Sequence, residues 1–112
     1  MYSAWNYCYN LQSLDISGLK TQNVQYMSYA FGNCKKLEVL DVSNLDMAKV
    51  VSMSYMLYDC EKIKTLDLRN WNCEKLTGGG LTYAFASCYA LNEIKGLDNI
   101  YTNNLTNLSG LF

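Results

Sequence analysis

Histidine is absent from the 112-residue chain, and its absence restricts the chemistry that the chain can perform. No imidazole is present to activate a serine or cysteine nucleophile, and neither a G-x-S-x-G pattern nor a phosphate-binding glycine pattern occurs. Zinc sites are disfavoured too, because they draw on histidine or on C-x-x-C pairs, and the sequence has neither. We therefore predict that the protein is not an enzyme and uses no metal and no cofactor.

Strong charge and long apolar runs are also missing. The net charge is −1, and the nine lysines and arginines are scattered, so we expect neither nucleic acid nor a membrane surface as a partner. No stretch is long enough for membrane insertion, and residues 1–10 lack the basic and apolar segments of a signal peptide. This pattern fits a cytoplasmic protein, and it fits equally a piece of a longer surface protein whose signal lies upstream.

The glycine run Gly78–Gly80 lacks the lysine and the spacing of a phosphate-binding loop. Its amides precede a predicted helical turn, so an anion is one ligand they could hold, but an insertion bulge is the simpler interpretation. We predict a bulge there.

What the sequence does contain is a repeat. The segment from Met27 to Leu45 recurs three more times in looser form, and the cysteine that follows the aromatic position recurs after 26, 26 and 28 residues. Self-similarity at such a period is typical of a repeat array, in which each unit buries its apolar face against its neighbours. We predict one domain over residues 1–112, with repeats at about 1–26, 27–52, 53–80 and 81–107 and a partial repeat at 108–112.

Each repeat opens with apolar residues spaced i, i+3, i+4, i+7, as in Met27, Ala30, Phe31 and Cys34. This spacing predicts about two turns of helix, with the hydroxyl of Ser28 in the N-cap position. The apolar alternation that follows, ending at Leu40 and Val42 in the second repeat, predicts a short parallel strand. Turn-forming pairs such as Ser43-Asn44 then end the strand.

The pattern A-F-x-x-C-x-x-L-x-x-L-D-[VIL]-S-N, seen from Ala30 to Asn44, resembles the BspA-like leucine-rich repeats, the 26-residue repeat of bacterial surface proteins. The resemblance covers nearly the whole chain and departs at Leu57, at Gly78–Gly80 and at Lys95-Gly96. It implies an α/β fold, a short right-handed leucine-rich-repeat solenoid of about four coils with a parallel strand ladder on one side and short helical turns on the other. It also implies adhesion to host proteins or cells.

The five cysteines are predicted to be unpaired thiols. Four of them recur on the apolar face of the repeat, where a small buried side chain is expected. Cys73 lies outside this column, in a turn, and is the one candidate for a reactive or crosslinking thiol, although a bystander role is the simpler interpretation.

One candidate surface is the outward side of the predicted strands. Asp15, Asp41 and Asp67 occupy equivalent positions and are expected to lie roughly 5 Å apart, so their repulsion must be offset. A weak Ca²⁺ site, a docking stripe for Lys or Arg, and a solvated row bonded to neighbouring turns all remain open. The predicted partner-binding residues on this side are Asp15, Val39, Asp41, Ser43, Thr65, Asp67, Arg69, Glu93 and Lys95.

The second candidate surface is rich in tyrosine. The chain has ten tyrosines, and this residue offers a large contact area with few rotatable bonds and a polar tip. The predicted partner-binding residues there are Tyr29, Tyr55, Tyr58 and Tyr83. The alternative is that these rings only cover the outer side of the repeats.

Together these features predict a non-catalytic protein-binding module, a segment of a bacterial surface or adhesion protein that binds a protein or a glycan. The alternatives are a small intracellular inhibitor that blocks one target protein, which would be cytoplasmic, and a structural spacer. The array opens and stops within a repeat and has no polar capping units, which favours a piece of a longer protein. Trp5 and Phe112 lie near these uncapped ends, so end-to-end self-association is a further hypothesis.

Overall fold

The computed structural model describes residues 1–100 and 104–112. Regular elements in this part of the chain are few and short, and one strand falls in each of the four repeats. The strands are β1 (Ser13–Leu14), β2 (Val39–Leu40), β3 (Thr65–Asp67) and β4 (Glu93–Lys95), followed by a 3-10 turn at Leu97–Asn99.

The strands pair in parallel, in two separate sheets of two strands each. In the first sheet Ser13 of β1 lies opposite Val39 of β2. In the second, Thr65 of β3 lies opposite Glu93 of β4. Each pairing joins equivalent positions of consecutive repeats, whereas β2 and β3 belong to different sheets.

The predicted α/β leucine-rich-repeat solenoid of about four coils is wrong. The described residues contain no α-helix, and the strands form two small sheets instead of one continuous ladder. The molecule is instead small and compact, with a radius of gyration of 12.6 Å and extents of 35 × 29 × 23 Å.

The segments predicted to be helical turns are series of tight turns. Alternate amides bond within the repeat to the carbonyl three residues back, as Ala30 N does to Met27 O (3.0 Å). The amides between them donate to the next repeat, as Tyr29 N does to Ser54 O (3.1 Å). A helix needs every amide for its own i to i−4 bonds, so this division of donors excludes it.

Residues with a left-handed backbone accompany this alternation of amide donors. Tyr29 has a φ of 56° and Asn33 a φ of 59°, and the equivalent residues of the other repeats are also left-handed. Non-glycine residues adopt this conformation rarely, and never in consecutive helical residues. The apolar side chains therefore share one face, as predicted from their spacing, but the backbone that carries them is a series of tight turns and not a helix.

The serine hydroxyls have a different role from the predicted helix N-caps. The hydroxyl of Ser28 lies 3.1 Å from that of Ser52 in the same repeat and 3.0 Å from that of Ser54 in the next repeat, so these groups bond to one another. Every fully buried side-chain nitrogen or oxygen in the described residues has a hydrogen-bond partner.

The core lies between the turn segments and the strands and is most complete in the two middle repeats. Met27, Phe31, Met53, Leu57 and Phe85 are among its buried side chains. Toward the two ends of the molecule, the equivalent side chains are half-buried or exposed. Burial is therefore greatest at the centre and decreases toward both ends.

The glycine run has a structural role in joining repeats. Gly78 forms a parallel bridge with Leu105, donating its amide to Asn104 O (3.0 Å) and accepting from Thr106 N (2.9 Å). At Gly80, an added Cβ would lie 2.8 Å from Val51 O, which explains the lack of a side chain. Through these contacts, the glycine run takes part in backbone pairing between repeats.

Candidate functional site

The strand face, defined here by the nine residues predicted for it, is solvent-facing. β1 to β4 place alternate side chains outward because successive residues of a strand point to opposite sides. Ser43 and Asp67 are half-buried and the other seven residues are exposed. The structure therefore brings together the side chains that the repeat pattern had grouped, while their role in binding a partner stays a prediction.

The three aspartates of this face each accept a hydrogen bond from the backbone two residues further on. Ser17 N donates to Asp15 (2.9 Å), Ser43 N to Asp41 (2.9 Å) and Arg69 N to Asp67 (3.1 Å). These bonds stabilise the charged carboxylates and offset the repulsion within the row.

The pKa values of these carboxyls follow from the same bonds. Hydrogen bonds from the amide and the hydroxyl of Ser17 lower the pKa of Asp15, and those from Ser43 lower the pKa of Asp41. For Asp67, the side chain and amide of Arg69 lower the pKa to about 2. All three groups are charged near neutral pH.

Charge is balanced in the half of the face formed by β3 and β4. Arg69 binds Asp67 through two side-chain nitrogens, Nε at 2.9 Å and Nη2 at 2.7 Å. Glu93 lies 4.0 Å from the Lys95 ammonium. Across the described part of the molecule, neither Asp15 nor Asp41 has an ion-pair partner, so negative charge is concentrated on the β1 and β2 half.

Two shallow clefts meet at Val39, whose side chain is 65% exposed. The cleft on the β1 side has a volume of about 290 Å³, and Asp15, Asp41 and Val39 contribute to its lining. The cleft between β2 and β3 has a volume of about 370 Å³ and includes Thr65. The second cleft lies where the two sheets are not paired.

Glu38 and Asn44 are among the cleft residues that were not predicted for the strand face. Glu38 lines the cleft between β2 and β3, and Asn44 lines the one beside β1. Asn44 also donates its side-chain amide to Ile16 O at 2.7 Å. The recurrence of asparagine after the strand was visible in Asn44 and Asn70, but no spacing rule predicts where two sheets will separate.

The tyrosine side is a packed column of rings. Tyr55 stacks on Tyr29 with ring centroids 4.6 Å apart and on Tyr83 with centroids 5.0 Å apart, and Tyr58 meets Tyr55 edge to face. Burial, followed by the neighbouring Tyr55, raises the pKa of Tyr29. Gly110 occupies the equivalent position after Tyr83, and a Cβ there would collide with the Tyr83 ring.

This stacking limits what the tyrosine side offers to a ligand. The faces of the middle ring are covered by its two neighbours, so edges and hydroxyls are what remain accessible. The arrangement matches the alternative in which the rings cover the outer side of the repeats. Binding of a partner by Tyr29, Tyr55, Tyr58 and Tyr83 stays a prediction.

The thiols lie in the core as free cysteines. Cys34, Cys60 and Cys88 each donate to the backbone carbonyl at the aromatic position of the preceding repeat, Cys60 to Phe31 O at 3.0 Å. Burial raises the pKa of Cys34 to about 11. Cys73, the candidate reactive thiol, is buried too, and its pKa is raised to about 12. This burial favours the bystander role for Cys73 over the reactive one.

The open ends of the molecule are unequal. Trp5 is half-buried and stacks on Phe31 with centroids 5.2 Å apart, whereas Phe112 is 63% exposed and packs on Phe85. A cleft of about 560 Å³ lies beside Phe112. End-to-end self-association stays a prediction.

Metal ligands do not converge in residues 1–100 and 104–112, where no group of three or more His, Cys, Asp or Glu side chains is placed to hold an ion. In the same residues, no helix has the length and apolar character needed to cross a membrane.

These observations define a small repeat protein with an exposed strand face and no recognisable catalytic constellation in the part described. The chain belongs to the family described as Mycoplasma protein of unknown function, DUF285, which matches residues 1–112. A comparison with curated proteins and a comparison with solved structures found no match.

Proposed function

We propose that the chain is a non-catalytic protein-binding module of a bacterial surface or adhesion protein, acting at the cell surface. The observation that supports this most directly is the strand face, where seven of the nine predicted residues are exposed and two clefts meet at an uncovered valine. Repeated scaffolds present varied side chains from fixed positions, which suits recognition of a protein. The resemblance of the 26-residue unit to BspA-like repeats supports the surface location.

The state of the nucleophilic groups supports a role without catalysis. Cys34 and Cys73 are buried with pKa values raised to about 11 and about 12, so their reactive thiolate forms are scarce near neutral pH. The strand-face aspartates are held charged by backbone bonds, with pKa values below the range useful to a general base near neutral pH.

The test is affinity capture with the purified chain as bait, from extracellular matrix and from host-cell lysate, followed by identification and binding measurements with the purified partner. A variant carrying Val39→Arg and Thr65→Arg places two bulky side chains on exposed positions of the face. A matched control carries Gln22→Arg and Thr77→Arg, two exposed positions away from the clefts.

We expect an identified matrix or surface protein that binds the chain and the control but not the strand-face variant. Stoichiometric capture of one intracellular protein would instead indicate the inhibitor. If no captured protein binds in purified form, the module function is wrong and a structural spacer remains.

A further inference from the structure

We propose that the strand face binds a cationic segment of its protein partner, with an apolar side chain of that segment against Val39 and a Lys or Arg beside Asp15 and Asp41. This inference rests on the proposed function and names the chemistry of the partner. It comes from three properties of the face, namely an exposed apolar centre, an uneven charge distribution and the absence of aromatic rings.

The apolar centre is Val39. Its side chain is 65% exposed, in a column whose neighbours on either side, Ser13 and Thr65, are small and polar. Both clefts include Val39 in their lining, so an incoming side chain can contact it from either direction. Covering this valine removes apolar surface from water, which favours an apolar group at this point of the partner.

The charge distribution of the strand face favours a positively charged residue beside that apolar side chain of the partner. In the β3 and β4 half, Arg69 neutralises Asp67. In the β1 and β2 half, Asp15 and Asp41 each use one carboxylate oxygen for a backbone amide, and Glu38 adds a third negative charge beside the cleft. A Lys or Arg placed there is attracted by carboxylates that have no ion partner in the described residues.

The composition of the face disfavours a sugar. Glycan sites use the faces of aromatic rings, and the nine strand-face residues include none, whereas the tyrosines lie in a separate stacked column. A bound metal ion is also disfavoured, because the acidic side chains do not converge into a ligand set in the described part. A cationic peptide satisfies both the carboxylates and the valine.

The experiment is an NMR titration of the ¹⁵N-labelled chain with acetyl-Lys-Leu-Lys-Leu-Lys-amide, and with a second peptide in which glutamate replaces lysine. A double variant, Asp15→Asn with Asp41→Asn, removes the charge but keeps an oxygen that can accept the turn amide. Asp46→Asn is the matched control, because Asp46 also accepts an amide two residues on, from Ala48, and does not line either cleft.

We expect the lysine peptide to shift the amides of residues 13–17 and 39–43, and the glutamate peptide to leave them unchanged. The double variant should bind the lysine peptide about three- to ten-fold more weakly, as the loss of two exposed ion pairs implies, and added salt should weaken binding further. Val39→Ser should weaken binding at any salt concentration, and the Asp46→Asn control should bind as the unmodified chain does.

Several results would overturn the inference: binding of neither peptide, equal binding of both, shifts confined to other residues, or an unaffected double variant. Shifts of the same amides on concentrating the chain alone would assign the face to a second copy and overturn it as well. A captured protein whose affinity is insensitive to salt and to the double variant would leave the module function intact and refute the cationic segment alone.

Discussion

At the scale of single residues, the thiol of Cys60 illustrates how the repeat uses a small polarisable group. Its side chain is fully buried, and its thiol donates to Phe31 O at 3.0 Å. The same bond recurs one repeat later, from Cys88 to Leu57 O at 3.1 Å. A buried carbonyl without a partner costs about 1–3 kcal/mol, so the thiol both fills space and satisfies the backbone.

The burial of the thiols predicts their reactivity. In the native chain we expect iodoacetamide to modify half-buried Cys8 well before Cys34, Cys60 or Cys73, because the last three are buried and their thiolates are disfavoured. The measurement is peptide mass mapping after timed alkylation, with denatured chain as the control in which all five react at similar rates. Native labelling of Cys73 as fast as Cys8 would contradict the assignment.

The lowered pKa of Asp67 predicts that the free energy of unfolding decreases in acid. Its folded-state pKa is lowered from 3.8 to about 2 by Arg69, so the folded state binds its proton less readily than the unfolded state. The resulting stabilisation is complete above the unfolded pKa and is lost as the pH falls through the folded pKa. The affected window therefore runs from about pH 4 down to about pH 2.

Urea unfolding at a series of pH values tests this expectation. The free energy of unfolding of the unmodified chain should fall more steeply across that window than that of an Asp67→Asn variant. Parallel curves for the Asp67→Asn variant and the unmodified chain would show that the ion pair with Arg69 does not persist in solution.

At the scale of elements, the turn after β4 depends on Gly96. Its φ is 73°, and a Cβ there would lie 2.6 Å from the backbone nitrogen of Arg69. A side chain at this position must both strain the backbone and push the turn after β3 away. The close approach of these two turns is therefore possible only with glycine.

Gly96→Ala should lower the free energy of unfolding by about 2–4 kcal/mol, combining left-handed strain with overpacking. Gly18→Ala is the control, because nothing lies within 4 Å of its added Cβ and its φ is not left-handed; it should change stability by less than about 1 kcal/mol. Chemical denaturation measures both. Equal effects of the two substitutions would refute the close contact.

The elements also show what the sequence could predict. Alternating apolar residues placed the strands correctly near Leu14, Leu40, Leu66 and Ile94, because alternation has few other structural causes. The i, i+3, i+4, i+7 spacing near Phe31 was interpreted as helical, and that was wrong. Tyr29 and Asn33 are left-handed without being glycine. Asparagine favours this conformation among non-glycine residues, but no propensity rule signals it for tyrosine.

The candidate site was also predictable only in part. Equivalent repeat positions place Asp15, Asp41 and Asp67 on one outward face, which needs only the repeat register. The ion pair between Arg69 and Asp67 and the cleft between β2 and β3 depend on how the sheets separate. That separation is a property of packing across repeats, which residue spacing within one repeat does not contain.

At the scale of the whole molecule, backbone pairing between repeats should produce a gradient of local stability. The amides of Tyr55 and Leu57 donate to Thr82 O and Ala84 O within the buried centre, whereas Ser3 N donates to Ser28 O at one end. End segments have a neighbour on one side only, and such segments open at lower free energy.

Hydrogen exchange followed by NMR should therefore find Tyr55 and Leu57 among the slowest amides and Ser3 and Trp5 among the fastest of those bonded between repeats. Exchange at low denaturant should preserve this order until global unfolding dominates. Uniform protection from one end to the other would mean that the chain opens only as a single unit, contrary to the expected gradient.

The glycine run has a genetic consequence. The third repeat is two residues longer than the first two, yet the left-handed position returns in register from Tyr55 to Tyr83, and the glycine run takes up the extra length while Gly78 pairs with Leu105. Small insertions at this point are absorbed without shifting the residues that follow. A gene that encodes such units therefore has at least one point at which added codons leave the next unit in register.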